Sequence, residues 1–242
     1  MPPLLTLDKI SKRFGAIVVA NGIDLSVAPG EALGIIGPNG AGKTTLFGII
    51  AGTTRPDSGR VRFGDADITA LAPERRCTAG IARSFQIPQP FGGMTVFENL
   101  VVAAAFGGGA RERGVYAPCI DIAARCGLAD KINRPAGGLT LLDRKRLELA
   151  RALATQPRLL LLDEVAGGLT EPECVALVAL IKEVRASGVA IIWIEHVVHA
   201  LIAAVDRLVA LAGGAFIAQG DPQAVIRSPA VAEIYMGIPA DA

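Results

Sequence analysis

Eight residues, Gly37-Pro38-Asn39-Gly40-Ala41-Gly42-Lys43-Thr44, set glycines, a lysine and a hydroxyl at the spacing G-x-x-x-x-G-K-[ST]. Each type has a physical use there. Glycines let successive backbone N–H groups turn inward on an anion, and a helix opening at Lys43 adds the positive end of its dipole. The Lys43 ammonium can reach the terminal phosphates of a nucleotide, and the Thr44 hydroxyl can ligate Mg²⁺. Thr45 follows in the same helix start and belongs with the loop. Far downstream, Leu159-Leu160-Leu161-Leu162-Asp163-Glu164 is an apolar run ending in two acids. If it is a strand ending beside the loop, Asp163 is placed to hold Mg²⁺ through water. Glu164 would then polarise an attacking water as general base, since in-line phosphoryl transfer needs a positioned nucleophile. Two acids at a strand end are often no more than a solvated terminus; combined with the glycine loop they point to a nucleoside triphosphate with Mg²⁺, and leave open which class of P-loop NTPase this is.

Turn and strand signals predict the elements that must position these groups. Residues 4–12 and 23–27 read as strands, separated by Arg13-Phe14-Gly15 and a short polar stretch. Pro29-Gly30 turns the chain into a strand over residues 31–36 that runs straight into Gly37. A helix is expected from Lys43 to a stop at Gly52, and a strand over residues 60–63. Residues 88–156 read as mostly helical, with Gly107-Gly108-Gly109 as a flexible loop. From Leu159 onward strand and helix alternate, the pattern of a mostly parallel sheet with crossover helices. Gly213-Gly214 has the composition of a two-residue hairpin turn, and residues 222–227 and 230–236 read as short closing helices.

Composition narrows the function classes. Lys and Arg number 24 against 23 Asp and Glu, so no positive field favours a nucleic-acid partner. Hydrophobic residues make up 51% and charged residues 19%, below the roughly 25% of an average soluble domain, which suits a surface covered by a partner. The longest apolar runs fall well short of the ~20 residues that cross a bilayer. The opening Met1-Pro2-Pro3-Leu4-Leu5 lacks the plan of a secretory signal, so the chain is expected to stay in the cytosol. Cys77, Cys119, Cys126 and Cys174 form no C-x-x-C pair and read as reduced, buried thiols.

Further positions, met in order, resemble the ABC ATPase family over nearly the whole chain. Phe14 matches the aromatic on which adenine stacks, and Gln86, within Ala82-Arg83-Ser84-Phe85-Gln86, matches the Q-loop glutamine near Mg²⁺ and the attacking water. Gly167-Gly168-Leu169-Thr170 matches the D-loop, and His196 matches the switch histidine that contacts the γ-phosphate. The resemblance implies an α/β fold over residues 1–242. Its P-loop (RecA-like), mostly parallel core and N-terminal antiparallel β subdomain would take residues 1–86 and 157–242, with an inserted helical subdomain at 87–156.

The chain departs from the family at the signature, usually L-S-G-G-Q, where it reads Leu139-Thr140-Leu141-Leu142-Asp143. Thr140 would still offer a hydroxyl to a phosphate, and Thr140-x-x-Asp143 also reads as a helix cap ahead of a run carrying Leu142, Leu149 and Leu153 on one face. Val165 stands where a proline commonly follows the glutamate, and Thr170 replaces the D-loop aspartate.

Ala79-Gly80-Ile81-Ala82-Arg83-Ser84-Phe85-Gln86, Met94-Thr95-Val96-Phe97-Glu98-Asn99-Leu100 and the ending Ile234-Tyr235-Met236-Gly237 look like the ATPases of branched-chain (hydrophobic) amino-acid importers. That branch implies a second ABC ATPase subunit, two integral-membrane permease subunits and, indirectly, a solute-binding protein. It places the chain peripherally on the cytoplasmic face of the inner membrane. The alternatives are a low-activity or structural ATP-binding partner, suggested by the signature, and a lipopolysaccharide-export ATPase, which shares the closing Y-x-G. A DNA-maintenance or translation ATPase would need a coiled coil, a second ATPase half or a basic face, and none is present.

Overall fold

The computed structural model describes residues 2–108 and 112–236, so Gly109 and Gly237 lie outside the described residues. Strands β1 (Leu5–Phe14) and β2 (Ile17–Val27) are joined by the tight turn Gly15-Ala16, with Gly15 at φ 60°. Arg13 and Phe14 therefore belong to a strand rather than a linker. The β-branched run Ile17-Val18-Val19 starts β2 well before residue 23, pairing Val18 with Arg13 and Ile17 with Phe14. With β4 (Ser58–Phe63) and β5 (Ala66–Asp67) they form an antiparallel sheet of order β2-β1-β4-β5.

A second sheet has the order β10-β9-β3-β8-β7-β6. Its strands β3 (Ala32–Ile36), β6 (Ile81–Arg83), β7 (Leu159–Asp163), β8 (Ala190–Ile194) and β9 (Arg207–Ala212) run parallel. At one edge β10 (Ala215–Gly220) turns back on β9 through Gly213 and Gly214, at φ 54° and 76°, the paired positive angles a two-residue hairpin requires.

Strands β3, β7 and β8 are buried along their whole length, which explains the apolar runs they carry. Leu160, Leu162, Ile191 and Trp193 face one apolar cluster, with helices α3 (Val96–Val102), α4 (Tyr116–Arg125), α5 (Leu141–Ala154) and α6 (Glu171–Ala186). Leu159, Leu161, Ile192 and Ile194 face the other, with the antiparallel sheet and α1 (Lys43–Ala51). Helix α1 ends at Gly52 in the left-handed region, φ 87°. The remaining helices are α2 (Pro73–Thr78), α7 (Val198–Ile202), α8 (Pro222–Ile226) and α9 (Pro229–Met236). Among the described residues no helix is long and apolar enough to cross a membrane.

Two further expectations are corrected. Gly107 is not in a loop: α3 continues as a π turn over Ala103–Gly107. A Cβ on Gly107 would stand 2.6 Å from Thr155 Cγ2, so the glycine lets this turn press against the end of α5. On α5 Leu149 and Leu153 are buried as expected, together with Leu147, while Leu142 is only half-buried near the helix start, and the inward face also takes Asp143, Lys145 and Glu148.

Candidate active site

The sheet gathers the chemistry at the carboxyl ends of its strands. Ile35 pairs with Ile194, and Ile194 with Asp163, so β3, β8 and β7 end side by side. Next to β7, β6 ends at Arg83. The segments leaving these ends are the glycine loop, Glu195-His196, Glu164 and Ser84-Phe85-Gln86, which is why residues so far apart in sequence meet.

The loop between β3 and α1 takes its form from glycines. Gly40 and Gly42 sit at φ 80° and 103°, and a Cβ on Gly42 would stand 2.1 Å from the Val19 carbonyl oxygen. Only glycine lets the loop pass this close to β2. Residues 39–45, Val19 and Glu164 line a cavity of about 200 Å³, room for the phosphate end of a nucleotide. Gly37 and Pro38 contribute carbonyls that accept hydrogen bonds from Lys43 Nζ at 2.6 and 3.0 Å. The ammonium is buried; burial pulls its pKa below the usual lysine value, while Glu164 and Asp163 oppose that shift.

The two acids sit in different environments. Asp163, buried at the end of β7, accepts a hydrogen bond from Arg83 Nη2 at 2.6 Å. Glu164 lies in the left-handed region at φ 48°, unusual for a residue with a Cβ, and its N–H donates to Ile194 O at 2.9 Å. Its side chain bridges two other expected site residues: His196 Nε2 is 2.6 Å from Oε1, and Gln86 Nε2 donates to Oε2. Glu164, His196, Gln86 and Asp163 with the loop thus form one group.

Phe14 and Thr140 stand outside the cavity lining. Phe14 is 53% exposed at the end of β1, with Lys12 Nζ 5.3 Å from its ring centroid. Thr140 caps α5: its Oγ1 accepts from Asp143 N–H at 3.2 Å and donates to Asp143 Oδ2 at 2.9 Å, while Lys131 pairs with the same carboxylate. Thr170 opens α6, its N–H and hydroxyl both donating to Glu173 Oε2 at 2.8 Å.

Sequence reasoning missed four contributors. Val19 supplies the carbonyl under Gly42, for which no residue type gives a signal. Arg83 pairs with Asp163, a contact legible only once β6 and β7 are known to be neighbours. Lys145 and Glu195 are charges buried against the backbone that follows Glu164.

A family model described as "ABC transporter" matches residues 20–167, more than half of the chain. The high-affinity branched-chain amino acid transport ATP-binding protein LivG of Escherichia coli is 35% identical, the match covering 97% of this chain and 98% of that protein. Its counterpart BraF of Pseudomonas aeruginosa is 34% identical over the same shares. A solved nucleotide-free ATP-binding cassette from an ABC transporter is 32% identical, with TM-score 0.90 over 98% of this chain and 100% of that one. A cassette solved in its ADP conformation gives the same identity, coverage and TM-score. A phosphate-binding loop, two acids at the end of a neighbouring strand and these whole-length similarities agree: the chain belongs to the ABC transporter family of ATP-binding cassettes and is an ATPase.

Proposed function

We propose that the chain is the ATP-hydrolysing subunit of an importer for branched-chain amino acids or a related small solute. The observation that carries this reading is the placing of Glu164, held by Gln86 and His196, at the cavity formed by the Lys43 loop. The LivG and BraF relatives, matched from end to end, support the importer branch.

In this reading the loop N–H groups and Lys43 bind the phosphates, and Phe14 gives the adenine an aromatic face. Glu164 takes a proton from the attacking water, with His196 and Gln86 fixing the carboxylate. Thr44, Asp163 and Gln86 would hold Mg²⁺. They offer oxygen donors only, and no group of three or more His, Cys, Asp or Glu among the described residues makes an all-protein metal cage. That fits an ion which ordinarily takes one or two protein ligands beside phosphate oxygens and water. Bound there, Mg²⁺ would neutralise phosphate charge.

Residues 87–156 would form a helical subdomain, and the loop leading into it the docking edge for a permease. Phe85, Ile87 and Phe91 are exposed, beside a groove of about 240 Å³ lined by Cys77, Phe85, Glu148, Arg151 and Thr155. The edge is stiff: buried Asn99 accepts from Phe91 N–H at 2.9 Å and donates to its carbonyl at 3.1 Å, and Arg151 donates to Gln89 O at 2.9 Å. The assembly would comprise a second ATPase, two permeases and a solute-binding protein, with this chain peripheral on the cytoplasmic face of the inner membrane.

Co-purification with the native membrane partners, followed by uptake into vesicles, tests the reading. ATP-dependent uptake of labelled leucine or valine, abolished by Lys43→Ala, is expected. Outward movement of a lipid-linked glycan would contradict it.

A further inference from the structure

A single peptide bond next to Glu164 is gripped at both ends by buried charges. Lys145 Nζ donates to Val165 O at 2.9 Å, and Glu195 Oε2 accepts the N–H of Ala166, the same peptide unit, at 2.8 Å. The two side chains come from separate elements, α5 and the end of β8, and are only 6% and 1% exposed. Lys145 Nζ also lies 3.5 Å from Glu164 O, and Glu195 Oε1 accepts the N–H groups of His196 at 2.9 Å and Val197 at 3.3 Å.

Burying a lysine and a glutamate is costly, and apolar side chains of like volume commonly serve stability as well or better. What this pair does that apolar residues could not is fix peptide planes. Glu164 needs such fixing, because a residue with a Cβ at φ 48° persists only when its surroundings over-determine it. Ile194 O holds its N–H, and Lys145 takes the two carbonyls that follow. Glu195 then ties the Ala166 N–H to the backbone of His196, so both residues that face each other through their side chains are set by one buried carboxylate.

We infer that Lys145 and Glu195 are positioning residues for ATP hydrolysis, a clamp on the Val165-Ala166 peptide that aims the Glu164 carboxylate and keeps it in register with His196. The inference rests on the reading of Glu164 as general base. Neither residue touches nucleotide; both act on the chemical step through Glu164, and nucleotide affinity is left to the glycine loop.

Steady-state ATPase measurements on the full chain with Lys145→Met, Lys145→Arg and Glu195→Gln, each alone and combined with Glu164→Gln, test it. Because a small misplacement of a reacting group costs up to about 100-fold, Lys145→Met and the isosteric Glu195→Gln should lower kcat by about 10- to 100-fold with KM for ATP within about twofold. Lys145→Arg should recover most of the loss. In the Glu164→Gln background the same changes should alter residual turnover by less than about twofold, since residues acting through one group are non-additive. If Lys145→Met does not fold, Glu195→Gln decides. A parental kcat in Glu195→Gln, or full additivity with Glu164→Gln, overturns the clamp while the base assignment stands. Unchanged turnover in Glu164→Gln alone overturns the base assignment, and the clamp with it.

Discussion

His196 Nε2 stands 2.6 Å from Glu164 Oε1, while the other oxygen of that carboxylate takes the Gln86 amide. Each oxygen thus has one protein partner and keeps a further lone pair that a water could meet. The phosphate loop also finds partners within the chain, since Lys43 Nζ donates to the carbonyls of Gly37 and Pro38. Bound phosphates would draw the ammonium off those carbonyls, so nucleotide binding would rearrange the hydrogen bonds of the loop.

Lys43→Ala removes that ammonium together with its stem. Hydrogen bonds to charged groups contribute about 1.5–3 kcal/mol, so affinity for ATP should fall at least about 10- to 100-fold. Titration with a fluorescent ATP analogue checks this, and parental affinity would refute the loop assignment.

Charge at the exposed edge separates coupling from chemistry. Phe91→Asp should leave basal ATPase activity within about twofold, because surface substitutions away from buried features are small in effect, and should lower transport by about tenfold or more. Uptake and phosphate release measured on the same vesicles decide it. Parallel loss of both would place Phe91 in the catalytic machinery.

Burial of Glu148 raises its carboxyl pKa above 4.5, with Arg151 opposing the shift. Between 4.5 and that raised value the folded chain keeps a proton that the unfolded chain has released. This group's contribution to stability therefore falls as pH rises through the window. Relative to Glu148→Gln, the parent should gain Tm as pH is lowered from neutral toward 4.5. A constant difference in Tm across that range would contradict the assignment.

Leu141, 49% exposed, and Leu142 replace the glycines expected at the start of α5. Side chains there should hinder close approach to a phosphate held by a second ATPase subunit. Substituting both with glycine should raise the turnover of the chain about twofold or more and lower Tm by several degrees, each glycine costing about 1 kcal/mol of helix stability. Unchanged turnover with a lowered Tm would mean that the leucines do not hinder closure.

The strands that carry the site were legible because β8, and β7 up to its terminal Asp163, are uniformly apolar, the mark of strands covered on both faces. The phosphate loop was legible because its chemistry fixes residue types at fixed spacing. The pairing of Val18 with Arg13, the π turn at Gly107 and the burial of Lys145 and Glu195 were not. The first depends on a tight turn at Gly15-Ala16 that gave no strong signal, and the others on partners distant in sequence: Thr155 behind Gly107, and the Val165-Ala166 peptide between Lys145 and Glu195. Charged residues read from sequence default to the surface, and only tertiary neighbours reveal the exceptions.

The central claim is that Glu164 performs the chemical step at a site whose binding is done elsewhere. Glu164→Gln keeps the shape of the side chain and its contact with His196 but removes the base. ATP affinity and single-turnover hydrolysis should be measured on this variant together. Affinity within about twofold of the parent, with hydrolysis slowed by the ~10²–10⁴ of lost general-base catalysis, is the predicted result. Hydrolysis at the parental rate, or loss of ATP binding in its place, would contradict it.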